Sequence, residues 1–233
     1  MKNSNKSFAI WMGVIFIGCL LLIVWSSSNK PSTGSTNTPT TPANVADIVS
    51  VKADDYMKGN PNASVVLIEY LDFECEACRA YFPLVKQLEK DFPNDLKIVM
   101  RYFPLPSHRN AMTAALAVEA AGRQGKFIEM HDLLYTEQEK WGEKAVATPA
   151  VFEAYAQQLG LDMEKFKQDV ASPEVKARVQ RDVDGGMALG ARGTPTFILN
   201  GEKIENPQGY EPFKALIEAK INETKPEWGT TTE

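Results

Sequence analysis

An apolar run over residues 64–73 (SVVLIEYLDF) ends one residue short of Cys75, and Cys78 follows three positions later; this junction constrains the fold more than any other feature of the chain. The run is rich in β-branched and aromatic residues and follows the turn-like GNPN at 59–62, so it reads as a buried central strand. Downstream, Ala80, Leu84, Val85 and Leu88 recur at helical spacing, with Pro83 expected to kink the helix rather than end it. The cysteines therefore fall where a strand hands over to a helix. A thiolate there is stabilised by unsatisfied backbone N–H groups and by the positive end of the helix dipole. Cys75, nearer the surface, fits that position. Cys78 lies one turn deeper on the same face, within reach to close a disulfide or to attack a mixed one.

On spacing alone, other uses of C-x-x-C stay open. Zinc would need two further ligands, and only His108 and His131 are at hand, with no compact second pair. A structural staple closing so short a loop removes little entropy from the unfolded chain. With 3 cysteines and 2 histidines in the whole sequence, no disulfide-dense scaffold, metal site or cofactor is expected.

The rest of the chain alternates in the same way. LKIVMRYFPL, 96–105, reads as a second strand ended by prolines. Helical patterning fills 110–134 and recurs over about 149–159, 163–170 and 173–189. TPTFILNGEKI reads as a strand and hairpin turning at Asn200 and Gly201, and a last amphipathic helix covers about 212–221. The order is strand, helix, strand, helical insert, strand, strand, helix: an α/β domain. His108 and His131, in or beside the insert, read as packed or capping residues, Asp72 and Glu74 as loop carboxylates, and Arg79 as a solvated cation.

The N-terminus bears on compartment. Residues 8–25 carry no charge and are at the short end of what can cross the roughly 30 Å hydrocarbon core as a helix. Lys2 and Lys6 precede this segment, so residues 1–7 are expected in the cytoplasm and everything after Trp25 outside. A cleaved signal peptide is the alternative, although its apolar region usually runs only about 7–15 residues. Cys19 loosely matches a lipoprotein box, yet the apolar run continues past it, which favours a small hydrophobe in a membrane helix. Residues 26–44, rich in Ser, Thr and Pro, read as a linker. A net charge of −5 without basic clusters argues against nucleic-acid binding.

Strand, C-x-x-C opening a helix, and a late strand beginning at Thr194-Pro195 in GARGTPTFILNG together resemble the thioredoxin fold. The helical block between its halves resembles the DsbA-type thiol-disulfide oxidoreductases, including the membrane-anchored BdbD kind. Over about residues 50–222 the matching elements are Glu69 six residues before Cys75, DFECEAC, GKFIEMHDLLY, QLGLD at 158–162, and GTPTFILNG. The resemblance implies a thioredoxin-like domain over 45–225 with its helical insert at about 107–190, preceded by a transmembrane anchor at 8–25 and followed by a tail at 226–233. It also implies a redox-active Cys75–Cys78 disulfide, with Cys75 exchanging and Cys78 resolving.

By the same resemblance Pro195 is cis and lies against the cysteines, Thr194 pairs with substrate backbone, and Glu69 takes the proton of Cys78. An ordinary edge-strand proline and a solvent-facing or paired Glu69 are the alternatives. The implied function is disulfide donation to exported client proteins with cysteines. It would proceed as a monomer on the extracytoplasmic side of the cytoplasmic membrane, with re-oxidation by a DsbB-like quinone reductase. A reductase or isomerase would use the same residues, and a non-catalytic binding or chaperone domain would keep only the fold. One departure stands out: strongly oxidising members carry Pro-His between the cysteines, where this chain has Glu76-Ala77. A cation near Cys75 is thereby lost, which implies a Cys75 pKa above the roughly 3.5 of DsbA.

Overall fold

The computed structural model describes residues 45–144 and 149–225. The segments expected as cytoplasmic N-terminus (1–7), membrane anchor (8–25), linker (26–44) and tail (226–233) lie outside the described residues. Among the described residues no helix is long and apolar enough to cross a membrane.

The sheet is built around β2 (Val65–Leu71) and β3 (Leu96–Tyr102), which run parallel in register from Val65 opposite Leu96 to Leu71 opposite Tyr102. Both are mainly apolar on both faces because both faces are covered. β4 (Thr196–Leu199) lies antiparallel on the free edge of β2, setting Glu69 opposite Phe197 and Tyr70 opposite Thr196. β5 (Glu202–Ile204) folds back on β4 through Asn200 and Gly201, at φ 47° and 89°, the pair of positive φ angles that a tight hairpin turn requires. β1 (Tyr56–Gly59) runs antiparallel to β3, giving the order β1-β3-β2-β4-β5.

The strand period of two sorts β2 between two cores. Val65 and Leu67 meet α2 (Glu76–Asp91) and α9 (Tyr210–Thr224) through Val85, Leu88, Phe213 and Ile217. Glu69 and Leu71 share that face. Ile68 and Tyr70 point the other way, against Val99, Phe103 and Ile198. A short helix α1 (Val45–Val49) precedes β1. It is tied to the sheet by the buried Arg101, which donates to the carbonyls of Ile48 and Ser50 and to Asp55 at 2.7 Å.

Between β3 and β4 stands the helical insert: α3 (Ala111–Gly122), α4 (Phe127–Thr136), α5 (Gln138–Trp141), α6 (Pro149–Gln158), α7 (Met163–Ala171) and α8 (Pro173–Ala188). Its core includes Leu71, Phe73, Met100, Tyr102 and both cysteines, so the insert packs on the end of the sheet where the cysteines lie. The helical pattern over 110–134 is two helices rather than one. Gly125, at φ 75°, lets the chain reverse after α3, and Lys126 N–H closes the helix end on the Ala121 carbonyl at 2.9 Å. Pro83 sits inside α2, which continues past it to Asp91.

Helix α8 returns across the Tyr70 face of the sheet. A Cβ at Gly186 would come within 2.7 Å of the Phe103 ring and 2.9 Å of the Tyr70 ring, so this glycine sets how closely helix and sheet approach. Gly186→Val is expected to lower stability by about 1–3 kcal/mol, because rigid rings cannot give way as flexible side chains do. The change reads out as a lower urea midpoint with an unchanged m-value.

Candidate active site

Cys75 is the N-cap of α2, with extended backbone angles (φ −70°, ψ 121°), and the Arg79 N–H donates to its carbonyl at 3.1 Å as the helix begins. It retains 7% exposure, while Cys78, one turn inside, has none. Both are free thiols. Across from them Thr194-Pro195 is a cis peptide. The Cys75 thiol donates to the Thr194 carbonyl at 3.4 Å, and the Asn206 side chain holds the Pro195 carbonyl at 2.8 Å. An open groove runs beside this loop, walled by Arg192, Thr194, Pro195, Lys203, Asn206 and Gln208. Of the residues singled out in the sequence, Cys75, Cys78, Thr194 and Pro195 meet here.

The two thiols are electrostatically unequal. Cys75 is brought down to about 5, chiefly because the Cys78 thiol donates to its sulfur; burial opposes this, and the Thr194 hydroxyl and the N–H groups of Ala77 and Cys78 assist. The Thr194 hydroxyl is buried and finds no other hydrogen-bond partner, so its donor is available to the Cys75 sulfur. Cys78 is pushed up by burial, by its bond to Cys75, and by the charges of Cys75 and Glu69.

Glu69 lies below, on the face of β2 that it shares with Leu71. It is 4% exposed, and burial raises its carboxyl to about 8 against the opposing pull of Lys58. Glu69 is thus neither solvent-facing nor directly paired. It lines a narrow cavity with Lys58, Met100, His131 and Tyr135 that reaches Lys86 and Glu89 and has room for about one water. Lys58 is held 2.8 Å from Asp132, which also receives Lys86 and His131 at 2.8 Å each. His131 is packed among the rings of Phe73, Phe82, Phe127 and Tyr135, and burial keeps it neutral to lower pH than usual. Among the described residues no group of three or more His, Cys, Asp or Glu side chains could hold a metal.

Asp72 and Glu74, expected as loop carboxylates, do lie in the loop between β2 and α2, and are buried there at 1% and 2% exposure. Asp72 accepts from the backbone of Glu74 and Leu105 at 2.8 Å each and contacts His108 Nδ1 at 2.7 Å. Glu74 accepts from the backbone and side chain of Asn110 and from the Glu143 backbone. The side chain of Gln138 completes the clamp on the carbonyls of Phe73 (2.7 Å) and Cys75 (3.0 Å). These bonds fasten the strand-to-helix loop to the insert. Arg79 pairs with Glu139 on the surface, where such a pair contributes little.

Two pH dependences follow. Alkylation of Cys75 by iodoacetamide is expected to show a midpoint near about 5, with Cys78 unreactive in that range. Glu69 acts on stability in the opposite sense to a paired carboxylate. Its folded pKa exceeds the unfolded one, so stability is full below about 4.5 and is lost as pH rises toward about 8. Denaturant unfolding should therefore show Glu69→Gln gaining on the wild type by about 2–4 kcal/mol between pH 5 and pH 8.

Comparison with known proteins adds a family to this geometry. The family model described as thioredoxin matches residues 52–219. A thioredoxin-like oxidoreductase from Silicibacter pomeroyi DSS-3 superposes with a TM-score of 0.62 at 26% identity, over 74% of this chain and 92% of that one. Wolbachia pipientis α-DsbA1 gives 0.68 at 18%, over 77% and 97%, and BdbD from Bacillus subtilis 0.65 at 23%, over 72% and 93%. A curated relative named Na+/H+ antiporter NhaA 1, from Salinispora arenicola, is 38% identical over 172 residues, 73% of this chain and 25% of the relative. This chain spans about a quarter of the length of such relatives. The chain belongs to the thioredoxin family, with the DsbA-like architecture of a helical insert between the two halves of the fold.

Proposed function

We propose that this protein is a thiol-disulfide oxidoreductase that works as an oxidase, donating a Cys75–Cys78 disulfide to exported proteins that carry cysteines. The observation that carries the reading is the inequality of the two thiols: Cys75, brought down to about 5, over a buried Cys78 pushed up. A thiolate favoured in the folded dithiol form stabilises that form by about 2–3 kcal/mol at pH 7, and a stabilised dithiol makes the disulfide a better oxidant. The cysteine site, rather than the antiport named for the much longer relatives, is the basis of the proposal.

The steps balance as two-electron exchange. A client thiolate attacks Cys75 Sγ, the Cys75–Cys78 bond breaks, and Cys78 leaves as a thiolate that takes a proton from Glu69. A second client thiolate attacks the client sulfur of the mixed disulfide and releases Cys75 as its stable thiolate. The client is oxidised and the protein reduced. During re-oxidation Glu69 as carboxylate takes the proton back from Cys78, with the cavity toward Lys86 and Glu89 as the exchange route to solvent. The client backbone would lie along Thr194 and Pro195, beside the open groove.

The setting is proposed from the sequence. Residues 8–25 would anchor the chain in the cytoplasmic membrane and 26–44 would tether a monomeric catalytic domain outside it, near a DsbB-like quinone reductase as electron acceptor. The expected reduction potential, by equilibration with glutathione, lies between the roughly −270 mV of thioredoxin and the roughly −120 mV of DsbA. Cys75→Ser should abolish oxidation of a reduced client, and Cys78→Ala should accumulate mixed disulfides. A potential at or below that of thioredoxin would make the protein a reductase, and full activity in Cys75→Ser would remove the enzymatic reading.

A further inference from the structure

Asp72 and His108 form a pair beside the cysteines that the proposed reaction does not use. Asp72 lies in the loop between β2 and α2, and its backbone carbonyl accepts the Cys75 N–H at 3.2 Å. Its carboxylate, with no side-chain exposure, contacts His108 Nδ1 at 2.7 Å and accepts the Leu105 N–H at 2.8 Å. The loop that carries the histidine is turned by the His108 N–H on the Leu105 carbonyl at 3.0 Å, so both ends of that turn are fixed to Asp72. One residue thus holds the backbone of Cys75 through its carbonyl and an imidazole through its carboxylate. The His108 side chain is 25% exposed, so it exchanges protons with solvent, unlike the enclosed His131.

We propose that His108, positioned by Asp72, is the electrostatic partner of Cys75: its imidazolium stabilises the thiolate of the dithiol form and is less favoured once the disulfide has formed. This rests on Cys75 being the exchanging thiol. In members with Pro-His the cation lies between the cysteines; here Glu76-Ala77 offers none, and the charge comes from the loop between β3 and α3. The ring contacts Asp72 directly, and the charges of Cys75 and Glu74 also act on it. Burial works against the imidazolium, and these three outweigh it, holding the ring above its ordinary range.

Linkage makes the proposal reciprocal. Whatever His108 does to the ionisation of Cys75, the Cys75 thiolate does equally to His108. Forming the disulfide withdraws two electrons, removes the Cys78 proton and the Cys75 charge, and so releases part of a further proton from His108 near its pKa. A histidine that only braced the loop would have no such dependence on redox state.

The test is NMR titration of the His108 ring in the full chain, as dithiol and as disulfide, with His108→Gln identifying the resonance. A higher midpoint in the dithiol form is expected, and equal midpoints would overturn the proposal. As a second reading, His108→Gln should slow iodoacetamide alkylation of Cys75 by roughly threefold near pH 5, with rates converging above pH 9. Rates that match the wild type throughout would count equally against it. Either negative result in a protein that still oxidises a client removes His108 alone, whereas activity in Cys75→Ser would remove the oxidoreductase reading itself.

Discussion

At the first turn of α2 three groups compete for one negative charge, and the rest of the site is arranged around which of them holds it. Cys75 has the helix N-terminus, the Cys78 thiol and the Thr194 hydroxyl as donors, so in the dithiol the charge rests on its sulfur. Cys78 and Glu69 lie beneath, deeply buried, and each is kept neutral mainly by that burial. A charge placed on either raises the cost of a charge on the other, as it would in any coupled buried pair. If client attack moves the charge onto Cys78, as proposed, Glu69 is the interacting group whose proton is loosely held.

That competition requires a loop that does not yield when charge moves through it. Two buried carboxylates, Asp72 and Glu74, supply the rigidity by taking backbone N–H groups from within the loop and from the insert. Each such bond involves an acceptor unable to reach water, so breaking one strands a polar group in the interior. The insert therefore positions the cysteines as well as covering them. Gln138, on the four-residue helix α5, bonds the carbonyls on either side of Glu74 and belongs to the same clamp.

The legible parts of this structure were those written in local pattern. The strand at 65–71 with cysteines at its end, the hairpin at Asn200 and Gly201, and the helices over 149–158, 163–171 and 173–188 each carry periodicity or turn chemistry within a short window. The edge strand β1 has no such signature: Tyr56, Met57, Lys58 and Gly59 neither alternate nor run apolar, and only the backbone of β3 makes them a strand. Helices α1 and α5 are too short to show a period. The burial of Asp72 and Glu74 and the pairing of Asp72 with His108 are not legible for a related reason. Their long-range partners lie 33 to 69 residues away, and no spacing rule reaches that far.

Lys58 shows why the edge strand matters to the chemistry. Beside Glu69 on the neighbouring strand is Met100, so the pull of a cation on the carboxyl comes from one strand farther out. The Lys58 side chain, 8% exposed, already shares Asp132 with Lys86 and His131, and Asp132 is held well below the usual carboxylate range by these partners despite its burial. Had Lys58 been left unpaired, its charge would stabilise the Glu69 carboxylate and draw its pKa down, away from the range that the proposed proton exchange with Cys78 requires. By engaging Lys58 elsewhere, Asp132 leaves burial as the dominant influence on Glu69, which keeps the carboxyl above its usual range.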